Sequence, residues 1–250
     1  MTSVVHNDTY PAIDSAKADL SGKHVFFSGA SKGLGKAMSI SFAKAGASMI
    51  AIGARSDLPG TAKKMEEAAT ALGKPAPKIL LLQLDVTDTK SAENAAAQVK
   101  KAFGRLDIVI NNAGIVTYGK IVDSDPDEWM RVFDVNLKGP YLVLRSFIPL
   151  LLEGGDKTAI TVSSVGAHII LPGYSAYQTS KLAELRLCEF VNQLFVETAE
   201  LSGDSLVYLT SEKRNWLAGR YVNVTWDLPE LMTKEAEIVK DNKLVVRLVV

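Results

Sequence analysis

At 250 residues with 47% hydrophobic content, the chain is long enough to bury one sizeable core and too apolar to stay disordered. Lysine plus arginine and aspartate plus glutamate both number 28, so there is no bulk field for nucleic acid or an anionic membrane, and a small-molecule partner fits better. The one cysteine excludes an internal disulfide, in keeping with a reducing, cytoplasmic setting.

Residues 1–20 are polar and aperiodic, which predicts a flexible arm, and they lack the basic start and apolar stretch of a secretory signal. Residues 21–250 read as one domain without repeats or linkers. Short, nearly continuous apolar runs predict buried strands at 24–28 (HVFFS), 48–53 (SMIAIG), 79–85 (ILLLQLD), 106–111 (LDIVIN) and 158–164 (TAITVSS). Helical patterns alternate with them: GKAMSISFAKAG, TAKKMEEAATALG with its terminal Gly73, and DTKSAENAAAQVKKAFG with Asp88 as N-cap and Gly104 past the end. This alternation predicts an α/β fold, a doubly wound parallel sheet between two helical layers, with ligands at the carboxyl ends of the strands. The most apolar stretch, YLVLRSFIPLLL, is too short to span a bilayer and carries Arg145. Cys188 sits in the periodic run LAELRLCEFV and reads as a packing residue.

Directly after the first strand, SGASKGLGKA places Gly29, Gly33 and Gly35 around Ser31, Lys32 and Leu34, at the opening of a helix. Glycines let the backbone turn tightly and approach a ligand, and a helix start offers free N–H groups to a pyrophosphate. Many dinucleotide sites carry an acid about 20 residues further on, for the ribose hydroxyls. Here that place holds Ala54 and then Arg55. Arg55, with Lys32 on the same side, suits a 2'-phosphate, which predicts NADPH (NADP) over NADH. Asp85, ending the third strand, suits the adenine side of such a site or, equally, a cap for the next helix.

In YSAYQTSKLAEL, Tyr177 and Lys181 stand at i and i+4 of a predicted helix, with Cβ atoms about 5–6 Å apart. Tyr174 is seven residues from Lys181, about 10 Å along a helix axis, too far for close coupling. A phenol with an ordinary pKa of about 10 needs a nearby cation to act near neutrality, and Lys181 can supply it. Ser164 ends the fifth strand, INNAGI ends the fourth, and Asn136 lies in the helical RVFDVNLKGPYLVL, where it reads as a relay member or as a buried group satisfying backbone.

Together these residues resemble the short-chain dehydrogenase/reductase family from about Lys23 to about Gln193. The resemblance implies a Rossmann domain that binds NAD(P) and interconverts carbonyls and alcohols. It implies Tyr177 as general acid/base, Lys181 as the residue that lowers its pKa and holds the nicotinamide ribose, Ser164 as the substrate-orienting hydroxyl, and Asn136 as the member completing a proton relay through water. Asn112, Ala113 and Gly114 match the segment that borders the cofactor, and Ser28 replaces a commoner threonine. A homo-oligomer joined through the helices containing Asn136 and Tyr177 follows from the same resemblance.

The family normally continues with a sixth strand, a Pro-Gly turn and a substrate lid. Here no proline occurs between Pro172 and Pro229, so one late strand and much of the lid are expected to be missing. SLVYLT reads as the family's last helix rather than a strand, and Tyr221–Thr225 as its last strand, which must pair with the fifth strand or leave an open edge. Two functions fit: an NADPH-dependent oxidoreductase for a small, hydrophobic carbonyl compound, or a catalytically weak dinucleotide- or partner-binding protein that lost its lid. The mostly apolar GAHIILPGY should border the pocket, with Tyr174 as a wall and His168 at the loop surface.

Overall fold

The computed structural model describes residues 4–191 and 199–245. The last position of the family resemblance, Gln193, lies outside them.

Five parallel strands, β1 (His24–Ser28), β2 (Met49–Ala54), β3 (Lys78–Gln83), β4 (Ile108–Asn111) and β5 (Thr158–Thr161), form one sheet in the order β3-β2-β1-β4-β5. β1 is central, and all five of its residues are buried. Its Phe26 lies beside Ala51 of β2 and Val109 of β4. The chain winds outward from β1 to β3 and then returns to the other side with β4, so the carboxyl ends of β1 and β4 frame the point where strand order reverses, the usual ligand crevice of such sheets.

Helices α1 (Gly33–Lys44), α2 (Pro59–Thr70) and α3 (Thr89–Phe103) follow the first three strands. Asp88 caps α3 by accepting from the Ser91 N–H, and Gly104 ends it with a φ of +77°. α4 (Pro126–Phe133) runs into α5 (Gly139–Leu152) through a π-helical turn at Asp134–Lys138. Pro140 has no N–H for the Asn136 carbonyl four residues back, and the turn slips register there, with the Gly139 N–H bonding to the Asp134 carbonyl. α6 (Ser175–Val191) follows β5, and α7 (Ala199–Thr210) contains SLVYLT, so that segment is helical as expected.

Met38 and Phe42 of α1, Met65 of α2 and Leu206 and Val207 of α7 fill the core on one face of the sheet. Val99 and Phe103 of α3 with Leu142 and Phe147 of α5 fill the other. This is the expected three-layer, Rossmann-like arrangement. α7 meets α1 at Gly203, where an added Cβ would lie 2.4 Å from Ser41 Oγ and 3.2 Å from Met38 Cα. Gly203→Leu is therefore expected to destabilise the fold by about 1–3 kcal/mol through overpacking, measured as a lower urea midpoint.

Two expectations need correction. Residues 4–20 do not hang loose: the His6 N–H donates to the Thr225 carbonyl (3.0 Å), Thr9 Oγ1 donates to Asp204 (2.7 Å), and Ile13 and Leu20 are buried. Those two apolar residues were too sparse to show a periodicity but sufficient to anchor the arm. The second correction is Tyr221–Thr225, which forms no strand. Among the described residues nothing pairs with the outer side of β5. Val222 and Val224 instead bury themselves in the α1/α7 core, and Asn223 Oδ1 accepts from the Thr225 N–H in a turn. Two short helices, α8 (Leu228–Met232) and α9 (Glu235–Lys240), complete the described chain. Beside the outer side of β5, unpaired among the described residues, Lys213 Nζ donates to the Asp156 carbonyl, a lysine placed where it discourages pairing with another strand.

Candidate active site

The glycine-rich turn between β1 and α1 is fastened to the end of β4 by one side chain. Asn112 Nδ2 donates to the carbonyls of Ser28 (3.0 Å) and Gly29 (3.1 Å), while Ser28 Oγ accepts from the N–H groups of Asn112 and Ala113. Gly29, at φ +71°, lies so close to β4's extension that a Cβ would meet Ala113 Cα at 2.7 Å. α1 begins without a side-chain cap, its Lys32 being extended, so its first N–H groups remain available to an anion. A Cβ on Gly33 would meet no atom within 4 Å, leaving open space over the turn.

A cleft of about 610 Å³ lies over this turn and extends to α6. Gly29, Ser31, Lys32, Gly33, Leu34, Arg55, Asp85, Asn112, Ala113, Gly114, Tyr177 and Lys181, all singled out in the sequence, line it. Gly35, Ser164 and Asn136 do not. Gly35 lies beneath the turn, where its Cβ would meet the Gly29 carbonyl and Asn112 Nδ2 at 2.4 Å each. Ser164 caps the short turn after β5, its Oγ accepting from the Gly166 N–H at 3.0 Å. It still adjoins Tyr177: a Cβ on Gly166 would lie 3.2 Å from Ser164 Oγ and 3.5 Å from Tyr177 Cε1.

Asn136 is fully buried in the π turn. Its Oδ1 accepts from the Ile115 N–H (2.8 Å), and its Nδ2 donates to the Ile115 carbonyl (2.9 Å) and Ser180 Oγ (3.0 Å). The side chain thus pins the loop after β4 to α6.

Arg55 and Asp85 face each other at the adenosine end, 3.9 Å apart and largely in solvent. Burial disfavours the Asp85 carboxylate, but hydrogen bonds from the Thr87 N–H and hydroxyl, helped by Arg55, outweigh it and hold the carboxyl below its usual range. One carboxylate oxygen is thereby committed to a turn ahead of α3, and the helix cap itself is Asp88, not Asp85.

Tyr177 and Lys181 both lie in α6, one turn apart, whereas Tyr174 falls just before the helix and packs edge-on against Tyr118, with centroids 5.3 Å apart. Lys181 Nζ makes no hydrogen bond to the Tyr177 phenol. It donates instead to the Val162 carbonyl (2.8 Å) and to Glu184 Oε2 (2.6 Å), in a pair whose side chains are only 5% and 1% exposed. Burial pushes the Glu184 carboxyl up to about 7, with Lys181 opposing it. The sequence reading missed Glu184, because an acid three residues after a lysine on a helix looks like any surface pair. Burial also pushes the Cys188 thiol up to about 12, as its packing role implies. His168 is exposed and meets the ring of Tyr221 edge-on at 4.5 Å.

A cleft at a strand-order switch, floored by an uncapped helix start and walled by a Tyr and Lys one turn apart, marks a dinucleotide-binding protein of the Rossmann type. Known proteins narrow this class. Residues 23–201 match the short chain dehydrogenase family. The short chain dehydrogenase pigC of Monascus ruber is 51% identical over 284 aligned positions that take in all of this chain and 94% of the relative. The short chain dehydrogenase andI of Emericella variicolor is 35% identical over 96% of this chain and 93% of its own. A solved short-chain type dehydrogenase/reductase from Mycobacterium marinum superposes with a TM-score of 0.72 at 25% identity, covering 86% of this chain and 97% of that one. The chain belongs to the short-chain dehydrogenase/reductase family, oxidoreductases that bind a nicotinamide dinucleotide.

The pigC alignment uses 284 positions for this chain's 250 residues, so 34 positions (284 less 250) have no counterpart here, and full coverage of the chain puts them inside it. The family match ends at residue 201, at the start of α7. Both agree with a segment missing after the Tyr177 helix; among the described residues the sheet stops at β5.

Proposed function

We propose that the chain is an NADPH-dependent oxidoreductase interconverting a carbonyl and an alcohol on a small, hydrophobic substrate, with Tyr177 as general acid/base. The observation that carries this is the shared cleft: Tyr177 and Lys181 open into the same space as the uncapped start of α1. The N–H groups of the Gly29–Gly35 turn suit a pyrophosphate, Arg55 and Lys32 a 2'-phosphate, and Asn112–Gly114 the border of the nicotinamide half. When bound, the nicotinamide supplies or accepts the hydride. Tyr177 donates its phenolic proton to the carbonyl oxygen in reduction and removes the alcohol proton in oxidation. Lys181 places a cation beside that phenol, and the Ser164 hydroxyl steadies the substrate oxygen. Asn136, with its amide fully engaged, serves by holding the Ile115 loop. Exposed Val116, Ile169, Ile170 and Leu171 on the loops after β4 and β5 favour an apolar substrate.

Following NADPH absorbance with a panel of ketones and aldehydes tests the reaction, and loss of absorbance with at least one is expected. NADPH should bind more tightly than NADH by roughly tenfold to a hundredfold, the worth of charge-assisted contacts to a phosphate, and Arg55→Ala should narrow the gap. A preference for NADH would overturn the cofactor assignment. A second reading, a dinucleotide-binding protein with little or no turnover, is favoured by the lack of a sixth strand among the described residues and by the 34 unmatched positions. Tight NADPH binding without oxidation across the panel would select it.

The proposal includes a cytoplasmic setting; no described helix is long and apolar enough to cross a membrane. It also includes a homo-oligomer, for which Tyr141, Leu182 and the 83% exposed Phe190 offer apolar contact on α5 and α6.

A further inference from the structure

The strongest unexplained feature is a buried acid beside the residue proposed to assist Tyr177. Glu184 is 1% exposed, sits one turn after Lys181 on α6, and has no part in the chemistry outlined above. An ammonium on a four-carbon stem has three N–H donors and many rotamers. Here two of the donors are taken, one by Glu184 Oε2 at 2.6 Å and one by the Val162 carbonyl at 2.8 Å, both on the inner side of α6. Nζ also lies 3.9 Å from where a Cβ on Gly114 would stand, so the nitrogen is held at the wall of the cleft with one donor left for it.

We propose that Glu184 is the positioning residue for Lys181: its carboxylate and the Val162 carbonyl fix the ammonium so that the remaining N–H serves Tyr177 and the cofactor. The inference rests on the oxidoreductase reading of the cleft. Small displacements of a catalytic group cost large factors in rate, and without Glu184 the long Lys181 stem has only one carbonyl to hold it.

The ionised form of Glu184 makes the stronger anchor, and its carboxyl, pushed up by burial to about 7, titrates where an enzyme would work. Among the described residues, the charged or titratable groups that bear on it are few. α6 itself contributes Lys181, then Cys188 and Glu189 one turn on. β5 and its extension contribute only Thr161, Val162 and Ser163. The π turn contributes Asp134 and Lys138, half-exposed and paired with each other at 3.6 Å, and α4 contributes Glu128 and Arg131, likewise paired. No other group stands ready to replace Glu184. As pH falls through about 7 the anchor is neutralised, so kcat should fall on the acid side.

The test compares Glu184→Gln and Glu184→Leu with the parent in the full-length protein. The expected result is a kcat lower by roughly tenfold to a hundredfold in Glu184→Leu, with KM and NADPH affinity within a few-fold. Glu184→Gln, which keeps an acceptor, should recover part of the loss and lack the acid limb near neutrality. A purely structural residue would lower the unfolding midpoint and leave the pH profile in place, and that outcome overturns the proposal. A second readout needs no substrate. In ¹⁵N NMR of the parent, a slowly exchanging lysine ammonium signal that disappears in Lys181→Met identifies the held group. Its loss in Glu184→Leu supports the proposal, and its persistence there overturns it. If no substrate is turned over even by the parent, the oxidoreductase reading fails while this signal still decides whether Glu184 holds Lys181.

Discussion

Tyr177→Phe is expected to lower kcat by roughly two to four orders of magnitude, the usual worth of a positioned acid/base, while leaving NADPH affinity and the unfolding midpoint close to the parent's. The substitution removes one oxygen from a half-buried ring whose hydroxyl makes no described hydrogen bond, so little in the fold depends on it. Its effect should therefore fall almost wholly on proton transfer. Tyr174→Phe is the internal control: Tyr174 lies outside α6, touches Tyr118 edge-on and has no lysine one turn away, so its rate should stay within a few-fold of the parent. Single-turnover oxidation of NADPH with an active ketone checks both. Tyr177→Phe turning over like the parent would remove Tyr177 from the mechanism.

The sequence disclosed most of the frame because the frame is periodic. Five apolar runs became five strands within a few residues of their expected limits, since a strand buried on both faces has little room for polar residues. The turn at Gly29–Gly35 was legible because two of its glycines are required by contact and one by its backbone: beside Ala113, the Gly29 carbonyl and Asn112 there is no space for a Cβ on Gly29 or Gly35, and Gly33 has a φ of +56°. Tyr177 and Lys181 could be placed on one helical face by counting. What could not be read was the partner of each polar group. Arg55 and Asp85 were assigned separate tasks and turn out to face each other. Glu184 drew no assignment from the sequence and is buried against Lys181. The first pairing, and the burial of the second, depend on tertiary packing, which spacing along a chain does not encode. The same holds for Tyr221–Thr225, whose β-branched residues suit a strand but whose valines are buried in the α1/α7 core instead.

Gly35→Ala carries the second large effect, and it separates the cofactor cradle from the rest of the fold. Gly35 has an ordinary helical backbone in α1, so alanine meets no backbone penalty, and any loss must come from crowding. The new Cβ would overlap the Gly29 carbonyl and Asn112 Nδ2, each at 2.4 Å, and one of them must move. Either movement loosens the hydrogen bonds by which Asn112 ties Ser28 and Gly29 to β4. Overpacking and a half-lost buried amide together should cost about 2–5 kcal/mol of stability. NADPH affinity should fall by more than roughly a hundredfold, because N–H groups aimed at a pyrophosphate lose their value when the turn that aims them shifts. Gly33→Ala provides the comparison. No atom lies within 4 Å of its Cβ, so it bears only the strain of a φ of +56°, about 1–2 kcal/mol, and leaves the Asn112 tie intact. Urea unfolding and fluorescence titration with NADPH should therefore rank Gly35→Ala as the more damaged protein on both counts. If Gly35→Ala binds NADPH as the parent does, the pyrophosphate does not rest on this turn and the cleft must hold its ligand elsewhere.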